Sequence, residues 1–251
     1  MFDKDTYLEY IGYSGPAPAA DLATLQDIHR RHQIRFHYDN GFIHSTDFVE
    51  FDADAVFETI VLKGRGGICT DLNLLFHRLL GELGYEVKLL SASMQLLGGA
   101  WGPEVEHMVM VVTVDGEDWL VDVGNGGISI VDPLPLSGET RTQQGIDFRL
   151  VRQGEFHLLE YKTRNKSWRN AYRFTTRPRD PGDWRVLAEL IGAQEDRFVR
   201  RRRRGTENGQ VVQIANIFLS VEDGVERPRP IRNDEELRTI DATYFQPVAA
   251  H

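Results

Sequence analysis

Cys69 is the only cysteine in a chain of 251 residues, and it stands in the stretch Arg65-Gly66-Gly67-Ile68-Cys69-Thr70-Asp71-Leu72-Asn73. A glycine pair followed by apolar residues at helical spacing (Ile68, Leu72, Leu75, Phe76, Leu79, Leu83) predicts a tight turn into an amphipathic helix that Gly84 ends. A thiol in the first turn of a helix faces unpaired backbone N–H groups and the positive end of the helix dipole. Both favour the thiolate, the form that attacks carbonyl carbon. Free cysteines also serve as small core residues, so the candidacy of Cys69 as a nucleophile turns on whether a base stands near it.

Strand arithmetic supplies one. His107 to Val114 (HMVMVVTV) has the β-branched, apolar composition of a buried strand. Asp115-Gly116 is a strong two-residue hairpin signal, and Glu117 to Val123 (EDWLVDV) reads as the return strand. With Asp115-Gly116 as the whole loop, Val114 faces Glu117 and Val109 faces Asp122, so His107 is the diagonal neighbour of Asp122 on one face. Such neighbours lie roughly 7–8 Å apart at the backbone, within reach of a His–Asp hydrogen bond. A one-residue slip would separate them. Histidine serves as base and acid near neutral pH, and a carboxylate on its second nitrogen fixes tautomer and orientation. Cys69, His107 and Asp122 thus form a candidate catalytic set of nucleophile, base and orienter. Taken singly, His107 is an ordinary strand-end histidine and Asp122 a cap for the turn at Gly124-Asn125-Gly126-Gly127. Their combination with Cys69 is the signal.

These residues need elements to hold them. The first 85 residues read as mainly helical, with helices over Thr6 to Ile11, Asp21 to His32 and Asp54 to Leu62 before that of Cys69. Strands follow at Glu86 to Met94, in the 107–123 hairpin, and at Phe148 to Arg152, His157 to Thr163 and Ala171 to Thr176. Pro178, Pro181 and Gly182 mark a change of character. Beyond them we expect a helix around Trp184 to Ile191, one strand over Gln210 to Val221 and a last helix near Asp234 to Thr239. The fold class is therefore α+β, divided at 1–85, 86–178 and 179–251.

Composition narrows the class. With 41% hydrophobic residues the chain can bury a sizeable core. No apolar run is long enough to span a membrane, and the polar, acidic start is unlike a signal peptide, so a soluble, cytoplasmic protein is expected. A single cysteine excludes an intrachain disulfide, and the eight histidines show no metal-binding spacing, so no metal is expected. A net charge of −9 argues against nucleic-acid or membrane-surface partners.

The order RGG-x-Cys, a strand beginning with His, then Asp-Val-Gly resembles the arylamine N-acetyltransferases, cysteine transferases with a papain- or transglutaminase-like core. Tyr10-Ile11-Gly12-Tyr13-Ser14-Gly15, Asp54-Ala55-Val56-Phe57-Glu58, Asn73-Leu74-Leu75-Phe76 and Pro133-Leu134-Pro135-Leu136 extend the likeness over residues 7–136. The resemblance implies an N-terminal helical bundle, a β-barrel-like middle domain and a small α/β lid at the C-terminus. It also implies acetyl-coenzyme A as co-substrate, an arylamine or arylhydrazine as acceptor, and catalytic roles for Cys69, His107 and Asp122. Three departures stand out. Asp71 replaces a glutamate, Ile34-Arg35-Phe36-His37-Tyr38 stands for the family's Ile-Pro-Phe-Glu-Asn, and Asn125 replaces an aromatic, which implies a more polar acceptor pocket. Related amide synthases of natural-product pathways keep the triad but join a polyketide chain on an acyl carrier protein to an amine. A thioesterase-type hydrolase and a binding protein with a vestigial site are the remaining readings.

Three features lie outside that set. Arg200 to Arg204 would suit phosphate or an acidic carrier protein, but a solvated loop balanced by Glu195, Asp196 and Glu207 is the expectation. Arg65 is expected to brace the turn beneath Cys69. The glycines at 124, 126 and 127 lack the context of a dinucleotide loop and are expected to let backbone pass close to an acyl group.

Overall fold

A computed structural model of the chain describes residues 1–43, 52–96, 98–187 and 199–246. Its first part is helical, as expected. Asp3 and Asp21 accept N-cap hydrogen bonds from Thr6 and Thr24 at the starts of α1 (Lys4–Tyr10) and α2 (Leu22–Arg35). After the short strand β1 (Tyr38–Asp39), α3 (Ala53–Phe57) runs into a π-helical turn at Glu58–Leu62, and α4 (Cys69–Glu82) carries the cysteine at its first position. Gly84 adopts φ +85° where α4 ends, a conformation that favours glycine.

Eight strands make a sheet that curls toward a closed barrel, in the order β5-β4-β3-β2-β9-β8-β7-β6. They are β2 (Glu86–Met94), β3 (His107–Val114), β4 (Glu117–Val121), β5 (Leu134–Pro135), β6 (Arg141–Gln143), β7 (Ile146–Gln153), β8 (Phe156–Lys162) and β9 (Arg169–Pro178). The β3–β4 hairpin has the register predicted from its loop, with Val114 opposite Glu117 and Met110 opposite Val121. Asp115 (φ 53°) and Gly116 (φ 79°) both take the left-handed conformation that a two-residue turn of this hand requires. Strand β3 is buried on both faces. Met108, Met110, Val112 and Val114 pack with Leu72, Leu75, Phe76 and Leu79 of α4, while Val109 and Val111 join Leu120, Phe148 and Tyr172 inside the barrel. A strand covered on both sides has no polar face to alternate, which explains its unbroken apolar composition.

The C-terminal part departs from expectation. A second sheet has the order β1-β10-β11-β12-β13, with β10 (Arg201–Thr206), β11 (Gly209–Ile214), β12 (Ile217–Glu222) and β13 (Val225–Pro230), followed by α5 (Asp234–Ile240). The single strand expected over Gln210 to Val221 is a hairpin whose turn, Ala215-Asn216, lacks a glycine; Ala215 takes φ 50°. The helix expected from Trp184 is a 3-10 turn at Pro181–Arg185 that buries Trp184, and residues 188–191 of that expectation lie outside the described residues.

The largest correction is the arginine run. Instead of a solvated loop it forms β10, with Arg202, Arg203 and Arg204 buried. Of the acidic residues expected to balance it, Glu195 and Asp196 lie outside the described residues. Most of the hydrogen bonds that these guanidinium groups donate go to oxygens of amides and backbone carbonyls. Arg202 donates to Gln213, pairs with Asp241 and lies 4.3 Å over the Phe245 ring. Arg204 donates to the carbonyls of Ile34 and Arg35 at 2.6 and 2.8 Å and to those of Tyr244 and Gln246 at 3.1 and 2.9 Å. The first two are carbonyls left unpaired where α2 ends, at the negative end of its dipole. Arg204 therefore fastens the second sheet and the C-terminal segment to the helical part. Among the described residues no helix is long and apolar enough to cross a membrane.

Arg204→Ala leaves those four carbonyls without their donor. We expect a loss of about 3 kcal/mol in unfolding free energy, read as a lower urea midpoint at an unchanged m-value.

Candidate active site

The sequence-predicted trio converges where α4 meets the open end of the β3–β4 hairpin. His107 Nε2 lies 2.9 Å from Asp122 Oδ2, and both side chains are buried. The second ring nitrogen, Nδ1, is not engaged by Asp122, and the Cys69 sulfur bears electrostatically on the imidazole. Cys69 Sγ also lies 3.7 Å from the Glu106 carbonyl. Burial opposes the imidazolium, but the Asp122 carboxylate, its hydrogen bond and the Cys69 sulfur outweigh it and push the His107 pKa up to about 10. Burial likewise opposes the Asp122 carboxylate, yet His107, Asn73 and the Gly124 N–H hold its pKa down at about 2.

Sequence reasoning missed several residues that hold this pair. Asn73 sits one helical turn below Cys69, and its Nδ2 donates to Asp122 Oδ1 (3.0 Å) and to the Met108 carbonyl (2.7 Å). Its Oδ1 accepts the Val123 N–H at 3.0 Å. One amide thus ties α4 to both strands of the hairpin. The available signal was the i, i+4 spacing of Cys69 and Asn73, which puts two polar side chains on one helix face. Tyr172 of β9 packs its ring 5.1 Å from that of His107. Arg203 is directly opposite Tyr38 in the second sheet, and burial lowers its pKa to about 10 while the Asp122 charge pulls the other way. No pattern in the run of five arginines marked it.

The turn ahead of α4 is built as a brace. Asp71 Oδ2 accepts the Ile68 N–H at 3.2 Å, and Arg65 approaches it at 4.0 Å while lying 3.9 Å over the Phe42 ring. Burial pushes the Asp71 pKa up to about 6 against the pull of both. Asp39 donates its N–H to the Gly67 carbonyl at 3.0 Å. Within Ile34-Arg35-Phe36-His37-Tyr38, Phe36 is buried among Tyr7, Tyr10 and His32, whereas Tyr38 is the residue that bears on Cys69.

The glycine loop touches the machinery itself. A Cβ at Gly124 would lie 2.9 Å from Cys69 Cα, 2.8 Å from its carbonyl oxygen and 2.6 Å from Asn73 Nδ2. A Cβ at Gly126 would strike the Tyr38 ring at 2.6 Å. Asn125 is buried and spends its amide on its own loop, accepting the Gly127 N–H and donating to the Ile128 carbonyl. Among the described residues no group of three or more His, Cys, Asp or Glu side chains gathers to hold a metal.

Comparison with known proteins gives the family and the fold. Residues 21–248 match the family model described as N-acetyltransferase. Proansamycin X synthase from Amycolatopsis mediterranei is 39% identical over 249 residues, covering 96% of this chain and 95% of that protein. The arylamine N-acetyltransferase of Mycolicibacterium smegmatis is 34% identical over 195 residues, covering 73% of this chain and 70% of that protein. A solved Mycobacterium marinum arylamine N-acetyltransferase in complex with CoA superposes with a TM-score of 0.87 over 97% of this chain and 92% of its own, at 24% identity, which speaks for the fold. The chain belongs to the arylamine N-acetyltransferase family. It is an N-acyltransferase with the α+β fold of that family.

Gly124→Ala forces the loop off the Cys69 backbone, where neither side has a flexible end to yield. We expect acyl transfer to fall by about 10²-fold and stability by about 2 kcal/mol, measured by single-turnover kinetics and urea titration on one preparation.

Proposed function

We propose that the chain moves an acyl group from a thioester to an amine nitrogen through an acyl-enzyme on Cys69. The observation that carries this reading is the buried His107–Asp122 hydrogen bond beside the lone thiol at a helix start. The Cys69 thiolate adds to the thioester carbonyl, and backbone N–H groups at the start of α4, that of Cys69 included, receive the oxyanion. The carbon–sulfur bond of the donor breaks, and the departing thiolate takes the proton of the His107 imidazolium. Acylation removes the sulfur charge that helped hold that proton, so the imidazole is now a free base. It takes a proton from the attacking amine, the amide leaves, and the thiolate and imidazolium are restored.

Acetyl-coenzyme A is the reference donor, with an arylamine or arylhydrazine as acceptor. A second reading is an amide synthase that joins a carrier-bound polyketide chain to an amine, with macrolactam formation as one outcome. The extent of the likeness favours it: the match to proansamycin X synthase runs almost end to end, whereas that to the Mycolicibacterium enzyme covers 70% of that protein. Both readings use the same three residues, need no metal, and place the protein in the cytoplasm with its thioesters.

Intact mass after incubation with acetyl-coenzyme A should show an acetyl adduct that Cys69→Ala lacks and that an arylamine discharges. An adduct formed only from a longer or carrier-bound thioester selects the amide synthase. Discharge by water alone at the same rate selects a hydrolase, and no adduct from any thioester overturns the mechanism. His107→Ala should abolish turnover without unfolding the protein. In Asp122→Asn the amide oxygen takes the place of Oδ1, which accepts from Asn73 and Gly124, so its NH2 faces His107 Nε2. The ring proton is then driven to Nδ1, the wrong side, and we expect turnover to fall by about 10²–10⁴-fold.

The pH dependence follows from the His107 proton. Acylation needs the imidazolium as acid, present below its raised pKa and lost above it. Single-turnover acylation should therefore decline on the alkaline side with an apparent pKa of about 10. A decline centred near 6.5, the ordinary histidine value, would contradict the coupling to Asp122 and Cys69.

A further inference from the structure

The arginines of residues 200–204 divide by where β10 puts them. Alternation along the strand sets Arg202 and Arg204 on one face, bound to Gln213, Asp241 and backbone carbonyls, and Arg201 and Arg203 on the other. Arg203 is buried on the side of Asp122 and donates to Gln210 at 3.3 Å. Arg200 is held by Asp39 at 2.9 Å. Arg201 differs from all of these. Its side chain is exposed, and among the described residues its guanidinium has neither a hydrogen bond nor an ion pair.

Its root is nonetheless rigid. The Arg201 N–H donates to Asn40 Oδ1 at 2.6 Å, its carbonyl accepts the Asn40 N–H at 3.2 Å, and its backbone pairs with Ile214 across β11. The guanidinium charge bears on two groups beside the thiol. One is Tyr38, whose hydroxyl also feels Cys69. The other is Glu106, whose carbonyl lies 3.7 Å from Sγ and whose half-buried carboxylate accepts the Met94 N–H at 3.4 Å. Among the described residues, Arg201 is thus a cation without a partner of its own, on a fixed stem beside Tyr38 and Glu106, the two residues that neighbour Cys69.

We propose that Arg201 is the anion-recognition residue of the donor subsite and takes the phosphate ester that ends a pantetheine arm. This rests on the acyl-thioester reading above and deepens it. When a donor thioester reaches Cys69, its pantetheine arm must run outward from it, and the far end of that arm is a phosphate in coenzyme A and on a carrier protein alike. Five N–H donors in a planar fork suit phosphate oxygens. The chain as a whole carries a net charge of −9 and repels an anionic donor at long range, so a local cation that no described residue pairs, placed beside the neighbours of Cys69, has a specific task. The other arginines of the run are already engaged by the fold.

The test is calorimetric titration of the full chain and of Arg201→Ala with 4′-phosphopantetheine and with pantetheine. The wild-type protein should bind the phosphorylated arm about 10-fold more tightly, the scale of a charged hydrogen-bonded contact, and Arg201→Ala should lose that preference. Arg201→Lys should recover part of it, because a lysine keeps the charge and loses the fork. Added salt should narrow the preference in the wild type. No preference in the wild type, or an equal preference in Arg201→Ala, overturns the proposal. So does an Arg201→Ala that binds coenzyme A more weakly but phosphopantetheine normally, since the residue then reads the nucleotide end. The titration needs no turnover. Its failure is therefore distinct from failure of the Cys69 mechanism, which the mass experiment reads.

Discussion

The buried carboxylate of Asp122 is the constraint around which this molecule is arranged. A charge with no solvent exposure is tolerable only when donors surround it, because an unpaired ion in that environment costs several kcal/mol or more. Asp122 accepts from the imidazole of His107, the amide of Asn73 and the N–H of Gly124. Each comes from a different element, and together they fix those elements to one another. Strand β3 cannot slip against β4 without removing His107, and α4 cannot shift along the hairpin without removing Asn73. Residue 124 must be glycine because the loop that delivers its N–H lies on the Cys69 backbone. The same carboxylate that holds the proposed base therefore sets the distance between helix and barrel.

The second sheet answers to related physics. Buried guanidinium groups are as demanding as a buried carboxylate, and here most of the hydrogen bonds they donate go to amide and carbonyl oxygens. Such bonds are directional. Arg204 reaches two carbonyls at the end of α2 and two more in the C-terminal segment, so strand β10 has a single seat against the helical part. That seat brings Tyr38 and Arg203 together as a cross-strand pair and turns both toward the cysteine and aspartate. The C-terminal strands thereby shape a site whose proposed reactive groups all come from residues 69–122.

What could be read from the sequence follows the reach of each interaction. The Cys69 helix and the β3–β4 hairpin rest on local rules, a glycine turn, a helical period and a two-residue loop, and the hairpin register alone implies the His107–Asp122 bond. The strand over Glu86–Met94 was equally legible. Asn73 was visible only as a spacing, because its partners lie 35 and 49 residues away in sequence. The arginine run was misread because charge predicts exposure, and the oxygens that overturn that rule belong to Ile34, Arg35, Tyr244 and Gln246, remote positions that leave no trace in the run itself. The Ala215-Asn216 turn was missed for a simpler reason. A non-glycine residue at positive φ gives no punctuation in a stretch of strand-forming residues.

The arrangement also explains why a single histidine can act as acid in one half of the proposed cycle and base in the other. Its affinity for a proton has two external sources, a permanent one in Asp122 and a removable one in the sulfur of Cys69. While the sulfur is free, both act and the ring stays protonated, ready to release a leaving thiol. Once the sulfur is acylated, only the carboxylate remains, while the desolvation that opposes the charge is unchanged. The balance then moves toward the neutral ring just when an amine needs a base. No conformational change is required, because the switch is the charge that the reaction itself consumes and restores. It does require that Asp122 stay ionised throughout; the His107 imidazolium is the strongest downward pull on its pKa, and the donors from Asn73 and Gly124 remain when the ring is neutral.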